Sequence, residues 1–176
     1  MSSWNPFIVL ELVNQERNER NIPPLELDQR LMDVIQFQVD YCAENDTLTH
    51  SNPAGSLGER FSIFNYQFRS SGENLANGYG PNEEIRVVKS WMNSPGHRAN
   101  ILNGSYKHMG VGFKNLYWGQ AFGSLLNNGP AIPVSCNPIS IIPSIPVSIT
   151  PDTSNNSHTT RYTTTTTTRY NFYYSQ

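Results

Sequence analysis

Two histidines and one glutamate stand at positions where structural roles for them are not obvious. His50 lies in "DTLTHSNP", a polar loop after a helical pattern, and Glu73 lies in "SSGENLANGYG", a segment rich in turn residues. His97 lies in "SWMNSPGHRANIL", between two helical patterns. Because loops on a folded scaffold hold a disproportionate share of binding residues, these three side chains are candidates for one functional site.

The start of the helix that carries His97 favours a neutral imidazole. Ser94 is suited to cap this helix, and Pro95 fits the first helical position, which needs no backbone N–H. His97 then falls at the third position, where the positive end of the helix dipole disfavours an added proton. A neutral ring offers a lone pair to a metal ion or to a proton in transfer. A histidine at a helix start is, taken alone, more often purely structural.

Two imidazoles and one carboxylate suit two kinds of site. They can hold a zinc ion with one position open to water, or they can form a hydrogen-bonded cleft without a metal. The separations of 23 and 24 residues match no short metal-binding motif. The spacing alone leaves both alternatives open.

Helical periodicity predicts the elements that must position these side chains. One helix is predicted in "NPFIVLELVNQERNER", and a second begins after Asp28, a good N-cap. Their predicted inward faces are Phe7, Leu10, Val13 and Arg17 on the first helix, and Leu31, Ile35, Val39 and Cys42 on the second. A short third helix is predicted in "GERFSIFNY". A fourth is predicted in "PNEEIRVVKSWMN", capped by Asn82, with the inward stripe Ile85, Val88 and Trp91.

Two later segments alternate as strands do. "YKHMGVGFKN" and "YWGQAFGSL" predict an antiparallel pair joined by a turn at Lys114-Asn115. Met109, Val111 and Phe113 share one face of the first strand, which places His108 on the other, expected solvated face. Helices before and after these strands predict a central sheet covered by helices.

Composition argues against two classes of function. The 12 basic and 14 acidic residues form no long run of either sign, so nothing draws the chain electrostatically to nucleic acid. No apolar run approaches the roughly 20 residues that cross a bilayer, and Met1 to Asn5 lacks the basic and apolar regions of a signal peptide. We expect no nucleic-acid partner and no transmembrane segment.

Composition changes sharply near residue 127. Residues 127–176 hold 3 charged residues in 50, against 17 Ser and Thr and 6 Pro, which predicts a disordered linker and tail after a domain at 1–126. Within this tail, "NPISIIPSIPVSITP" favours a plain extended linker over an arm packed along the domain. The Thr-rich "TTTTTTRY" is typical of an O-glycosylated stalk.

The two cysteines leave their pairing open. Cys42 falls in the stripe of the second helix, where a small core residue is expected, while Cys136 falls in the predicted tail. A disulfide, two free thiols, or one buried and one exposed sulfur all fit the separation of 94 residues.

Several motifs together resemble one protein family. "VNQERNERNIPPLELDQRL", "LTHS", "SGENLANGYG", "VVKSWMNSPGHRANIL" and "HMGVGF" occur in the order found in the CAP superfamily, also called SCP or PR-1-like proteins. The similarity spans about Pro6 to Gly123 and is closest to the bacterial YkwD-like branch. The combination is highly specific, although no single motif would be.

The resemblance implies a fold and a site. The fold is an α/β, three-layer α-β-α sandwich with a central, mainly antiparallel sheet and a large cleft. Family members gather two histidines and two acidic residues there, and some bind zinc or another divalent cation. His50, Glu73 and His97 match three of these four positions, and Ser94 falls where many members have the second acid. That departure leaves one negative charge fewer and puts a tight metal site in doubt.

Residues beside the cleft have expected roles of their own. Asn74 and Arg98 flank two of the matched positions and are expected to support them, although Arg98 also suits a salt bridge or turn contact. Glu83 or Glu84 would replace the missing acid only if its helix presented it inward.

The resemblance implies a secreted, non-enzymatic protein that binds a sterol or fatty acid, or a protein or cell-surface partner. One alternative is a metal-assisted hydrolase or peptidase, with His50 and His97 as ligands and Glu73 as base, or with Ser51 or Ser94 as nucleophile. Another is a structural wall-associated protein extended by its tail. We expect an extracellular location from the family and the stalk-like tail.

Overall fold

Nine elements build the fold of residues 4–134, the part of the chain that this computed structural model describes. The helices are α1 (Pro6–Asn18), α2 (Gln29–Glu44), α3 (Leu57–Ile63), α4 (Glu84–Asn93) and α5 (Pro95–Ile101). The strands are β1 (Glu26–Leu27), β2 (Phe68–Asn77), β3 (His108–Lys114) and β4 (Tyr117–Leu125). The predicted helices and the β3–β4 pair are all present.

The four strands form one sheet in the order β1-β3-β4-β2. β3 and β4 pair antiparallel through a two-residue turn, in which Asn115 and Leu116 have φ of 47° and 71°, as a tight hairpin requires. β2 pairs antiparallel with β4, and only the short β1 runs parallel, to β3. β2 is therefore an edge strand, and the sheet is mainly antiparallel.

Helices cover both faces of the sheet, because side chains along β4 alternate between two apolar cores. Trp118 and Phe122 enter the core that is built with α1, α4 and α5. Ala121 and Leu125 enter the other core, which is built with α2 and α3. These layers form the expected three-layer α-β-α sandwich.

Local signals explain where several helices begin. The Asp28 carboxylate accepts a hydrogen bond from the Arg30 N–H at the start of α2, as predicted. Ser56 and Glu59 form a reciprocal capping box at α3. The predicted cap of α4 is wrong, because Glu83 rather than Asn82 holds the cap position and makes no side-chain capping bond.

Two predicted inward residues face outward instead. Phe7 is 39% exposed, and Val9 takes its place on the buried side of α1. Ile85 is 51% exposed because α4 turns the stripe of Val87, Val88 and Trp91 toward the core. In both helices an apolar residue at a neighbouring position occupies the face that meets the sheet.

His108 corrects the expectation of a solvated strand face. Its residue is 4% exposed, and Nδ1 lies 2.8 Å from the hydroxyl of Tyr66. The face of β3 opposite Met109 and Val111 packs against α2, so neither face of this strand meets water.

α2 lies unusually close to β3, which glycines permit. A Cβ at Gly110 would overlap the backbone of Leu31 and Met32, and one at Gly112 would lie 3.0 Å from the Gln36 nitrogen. Because glycine has no side chain, the backbone of α2 packs directly against β3 at these two positions. These close contacts also fix the position of the N-terminal half of α2. The middle of this helix faces the candidate site.

The chain remains attached to the domain after β4. The N–H of Ile132 donates to Asp28 Oδ2 at 3.0 Å, and the Ile132 carbonyl accepts from the N–H of Gln29 at 2.9 Å. Contact with the domain thus continues beyond residue 126. Cys136, the proline-interrupted segment and the Thr-rich tail lie outside the described residues, and the boundary at 126/127 stays a prediction. None of the helices between residues 4 and 134 is long and apolar enough to cross a bilayer.

Candidate functional site

His50, Glu73 and Arg60 form a hydrogen-bonded cluster at the edge strand. Nδ1 of His50 lies 2.7 Å from Oε1 of Glu73, and Nη1 of Arg60 donates to Oε2 at 2.7 Å. Nη2 of Arg60 also donates to Oε1 at 3.4 Å and to the carbonyl of His50 at 3.3 Å. The Glu73 and Arg60 side chains are 4% and 1% exposed, whereas the imidazole of His50 is 63% exposed. A buried ion pair thus holds an exposed histidine.

Glu73 lies inside β2 and not in a flexible loop, contrary to the sequence interpretation. The turn-like residues around it pair with β4, with Gly72 opposite Phe122 and Glu73 opposite Ala121. Gly72 is needed because a Cβ there would lie 2.5 Å from the hydroxyl of Tyr106. Gly72 therefore permits a close packing contact on a strand.

The loop that carries His50 is fixed by a buried glutamine on α2. Nε2 of Gln38 donates to the carbonyls of Thr49 and Ser51, at 2.5 and 3.3 Å, on either side of His50. Oε1 of Gln38 accepts from the amide of Asn52 at 3.0 Å. Because Gln38 is fully buried, the loop cannot move without leaving these polar groups unpaired.

His97 joins the same region through the neighbour of Glu73. The Asn74 amide donates to the carbonyl of His97 at 3.1 Å and to Oε1 of Gln120 at 3.0 Å. Asn100 of α5 donates to the Asn74 side-chain oxygen at 2.8 Å and to the Glu73 carbonyl at 3.2 Å. Because the Asn74 bond goes to the main chain of His97, it ties the start of α5 to the strand that carries Glu73.

The two histidines have shifted pKa values of opposite sign. The hydrogen bond to Glu73 raises the pKa of His50 above its ordinary value, against the effects of partial burial and the Arg60 charge. Burial, followed by the charge of His50, lowers the pKa of His97. The direction for His97 is the one predicted, but its leading cause is burial. His50 is the imidazole that holds its proton more strongly.

Two other predicted residues, Ser94 and Arg98, do not join the hydrogen bonds of the site. Ser94 occupies the cap position of α5 and Pro95 its first turn, as predicted, but the Ser94 side chain makes no capping bond. Arg98 donates to the carbonyl of Met92 at 3.0 Å, which is the turn contact considered as its alternative role. Asn74 does join them, because its amide bonds to the main chain of His97.

Neither glutamate of α4 supplies a second acid to this cluster. Glu84 is buried, and its carboxylate accepts a hydrogen bond from the N–H of Asn5 at 2.8 Å. Glu83 accepts from the N–H of Gly80 at 2.5 Å and pairs with Arg86. Both carboxylates are thus committed to local contacts elsewhere.

The donor set does not fit a three-ligand metal site in this arrangement. Both oxygens of Glu73 are bonded to Arg60, and Oε1 also contacts Nδ1 of His50. Across residues 4–134, no three side chains of His, Cys, Asp or Glu cluster closely enough to hold a metal ion. Ligation through Glu73 would require a cation to displace a buried guanidinium.

The same cluster contains two groups of an acid–base catalytic site, a histidine and the carboxylate that orients it. A carboxylate oriented against Nδ1 of a histidine is how general bases are held in hydrolases. In the described part of the chain, however, no hydroxyl or thiol side chain hydrogen-bonds the ring of His50 or His97. The geometry provides an oriented imidazole without an adjacent nucleophile.

Sequence reasoning missed Arg60, which carries a signal that could have revealed it. Leu57, Arg60, Phe61 and Phe64 recur at helical spacing, and the three apolar members pack into the core of α2 and α3. A charge on an apolar stripe requires a buried partner that is either polar or of opposite charge. Glu73 is that partner.

A groove lies beside the loop that carries His50. It has a volume of about 560 Å³, which is within the range of small-molecule sites. Its lining combines apolar and polar residues from α2 and the loop: Phe37, Asp40, Tyr41, Glu44, Asn52, Pro53 and Ala54. Nζ of Lys114 pairs with Glu44 at 2.9 Å and with Asp40 at 3.5 Å, so the acidic rim is partly neutralised. We call this feature the α2 groove.

Relatives carry the same domain in longer proteins. The chain is 37% identical over 117 residues to the uncharacterized protein YkwD of Bacillus subtilis, covering 65% of this chain and 45% of the relative. It is 36% identical over 117 residues to the B. subtilis uncharacterized membrane protein YlbC, covering 65% of this chain and 33% of the relative. The chain therefore spans less than half the length of these two relatives.

Solved structures agree with the fold. An extracellular protein with an SCP domain from Bacillus anthracis superposes with a TM-score of 0.63 at 30% identity, covering 67% of this chain and 39% of that one. An outer surface protein from Borrelia burgdorferi superposes with a TM-score of 0.61 at 25% identity, covering 68% of this chain and 91% of that one. The sequence profile of the cysteine-rich secretory protein family, CAP, matches residues 10–124. The expected resemblance is thereby confirmed: the chain belongs to the CAP family and is similar to its YkwD-like bacterial members.

Proposed function

We propose that this protein is an extracellular, non-enzymatic binding module whose ligand is a small hydrophobic molecule, such as a sterol or fatty acid. The observation that carries the proposal is the α2 groove, in which Phe37, Pro53 and Ala54 offer apolar surface beside a fixed polar loop. The Phe37 residue is 38% exposed. Covering this ring would remove apolar surface from water.

The His50 loop gives the groove a polar end. Asn52, Pro53 and Ala54 line the groove, and Gln38 fixes both Asn52 and the carbonyls that flank His50. A ligand with an apolar body and a polar head matches this combination, because a rigid wall lowers the entropy lost on binding. We assign the head to the side of the loop that carries His50.

Similarity supports the extracellular location. The B. anthracis relative is described as extracellular and the B. burgdorferi relative as an outer surface protein. A domain that serves outside the cell can meet lipids or surface partners directly. We extend that location to this chain.

Two phenylalanines of equal exposure allow a matched test of the groove. Phe37 in the groove and Phe7 on α1 are 38% and 39% exposed. We expect Phe37→Ala to weaken binding of radiolabelled palmitate or cholesterol by about tenfold, the value of a buried aromatic contact, and Phe7→Ala to leave it unchanged. Equal effects of the two changes, or no lipid binding by the unaltered protein, would contradict the proposal. In the second case, capture of a protein partner lost on His50→Ala would favour a macromolecular ligand.

The role of the histidines can be separated from that of the groove. We expect the double change His50→Ala and His97→Ala to weaken lipid binding through the loss of the His50 ring, which lies on the loop at the polar end. Binding that survives both changes would remove the histidines from the mechanism while leaving the groove intact.

Hydrolysis is the second candidate, because Nδ1 of His50 lies 2.7 Å from Glu73 Oε1 as in an oriented general base. The expected signature is peptidase or esterase turnover that Glu73→Gln abolishes. Absence of turnover across a panel of peptide and ester substrates supports the binding role.

A further inference from the structure

The charge of Glu73 is already neutralised inside the protein. Its side chain is 4% exposed and that of Arg60 is 1% exposed, so water screens this pair very little. Arg60 bonds both carboxylate oxygens, at 2.7 and 3.4 Å, which is the fork geometry in which guanidinium and carboxylate match. The pair behaves as one neutral unit within the site.

A divalent cation would compete for the same lone pairs. Zinc binds carboxylate oxygen at about 2.0–2.2 Å, a position that a hydrogen-bonding guanidinium nitrogen denies it. A cation would also have to leave Arg60 buried without its partner, which is strongly unfavourable.

The residues around the pair do not restore the missing negative charge. Glu83 and Glu84 are bonded elsewhere, and Ser94 brings no charge. Glu73 and Arg60 together have zero formal charge. With Glu73 paired in this way, the two imidazoles are the remaining donors among the three predicted metal ligands. Two neutral ligands give a divalent ion little electrostatic stabilisation.

We propose that Arg60 takes the place of a divalent cation beside Glu73, so that Glu73 is closed to metal ligation and removing the guanidinium frees the Glu73 carboxylate, with His50 next to it, for Zn²⁺. Arg60 is then the residue that decides whether the cluster binds metal. This proposal does not depend on the identity of the hydrophobic ligand.

Zinc binding by an Arg60→Met variant tests the proposal directly. Methionine keeps much of the buried stem without a charge or hydrogen-bond donor. We expect the Kd for Zn²⁺, measured by competition with a chromophoric chelator at neutral pH, to fall by at least about tenfold relative to the unaltered protein. Adding Glu73→Gln to Arg60→Met is expected to return the Kd to the starting value. A smaller gain, or a gain that survives Glu73→Gln, overturns the proposal.

Matched changes separate the effect of the site from loss of an arginine. Arg30 forms a comparable pair with Asp28, at 2.6 Å, and Asp28 is fully buried. We expect Arg30→Met to leave the Kd for Zn²⁺ unchanged. We also expect Arg60→Lys, which keeps the positive charge, to stay at the starting value. Equal gains in Arg30→Met or Arg60→Lys contradict the assignment to the Arg60 guanidinium.

Folding of the variant supplies a second readout. If Arg60→Met is unfolded without metal, Zn²⁺ is expected to restore its near-ultraviolet circular dichroism, because binding only the folded state stabilises it. Zinc that fails to restore the fold, or restores it equally in the variant with Glu73→Gln added, overturns the proposal. For a folded Arg60→Met variant, the Kd comparison decides.

Discussion

His50 Nδ1 lies 2.7 Å from Glu73 Oε1, although the two residues are 23 positions apart and belong to a loop and a strand. The bond commits Nδ1 to the carboxylate and leaves Nε2 as the nitrogen outside this contact. An exposed imidazole is thereby fixed in one tautomer by a buried group. The pair gives an exposed loop histidine a defined orientation at the surface.

The different surroundings of the two histidines predict that they have different pKa values. We expect His50 to have a pKa above, and His97 a pKa below, the ordinary value of an imidazole. Glu73→Gln should lower the pKa of His50, because a neutral amide no longer favours the charged ring. Side-chain nuclear magnetic resonance titration of both rings measures this. Its internal control is His108, a buried ring that contacts Tyr66 and not Glu73; a fall in the pKa of His108 as large as that of His50 would contradict a local cause.

The same shifts give pH dependences of stability with opposite sign. The contribution of His50 is fully present below its ordinary pKa and is lost as pH rises through its raised, folded value. His97 acts in reverse: because its folded pKa is lowered, protonation costs stability as pH falls below the ordinary value. Urea unfolding of Glu73→Gln across this window should lack the first effect. The His97→Ala variant should lack the second.

Gln38 offers a separate test of how the His50 loop is held. We expect Gln38→Leu to destabilise the protein by about 1–3 kcal/mol, because the carbonyls of Thr49 and Ser51 lose a buried donor. Amide hydrogen exchange should accelerate in residues 49–52 more than in β3. Gln29→Leu is the control, since the Gln29 side chain bonds the exposed carboxylate of Asp33 and its backbone N–H bonds the carbonyl of Ile132. Equal destabilisation by the two changes would rule out a special role for Gln38.

Much of this fold could be predicted from local patterns. The stripe of Leu31, Ile35 and Val39 and the cap at Asp28 defined α2, and the alternation of Met109 and Val111 defined β3. These signals are local, since each depends on residues within about two turns or one strand. They do not report which other element will cover a given face.

The wrong predictions arise because the sequence does not show which element covers a given face. His108 was placed in solvent because the sequence cannot show that α2 covers the second face of β3. Glu73 was placed in a loop because the glycine beside it, Gly72, makes room for Tyr106 rather than for a turn. Residue types and the motif resemblance predicted His50, Glu73 and His97 as site residues. They did not predict Arg60, because its role depends on the buried group that its charge contacts.

The close approach of α2 to β3 predicts an asymmetry between two glycines. A Cβ at Gly110 would overlap the backbone of Leu31, which cannot rotate aside, while a Cβ at Gly96 in α5 meets no atom within 4 Å. We expect Gly110→Ala to cost about 1–3 kcal/mol of unfolding free energy and Gly96→Ala to be neutral or stabilising. Thermal denaturation of both variants measures the difference. A Gly110→Ala protein as stable as the starting one would show that the helix can lift from the strand without loss.

Replacing Arg17 is expected to have a large effect, although no carboxylate within residues 4–134 pairs with it. It is fully buried at the end of α1, and its guanidinium donates to the carbonyls of Pro23, Ile101, Asn103 and Tyr106. It thereby ties α1 to the end of α5 and to the segment before β3. Removing it leaves buried carbonyls without a donor.

We expect Arg17→Met to lower the free energy of unfolding by about 3 kcal/mol, measured in urea. The matched control is Arg20→Met, because the Arg20 side chain is 43% exposed and pairs with Glu16 on the surface. That change should cost less than about 1 kcal/mol. Since Arg17 contacts none of the site residues, the pKa of His50 should stay unchanged in Arg17→Met. A shifted His50 titration in a folded Arg17→Met protein would show that the α1–α5 contact extends its influence through Asn100 to the strand that carries Glu73.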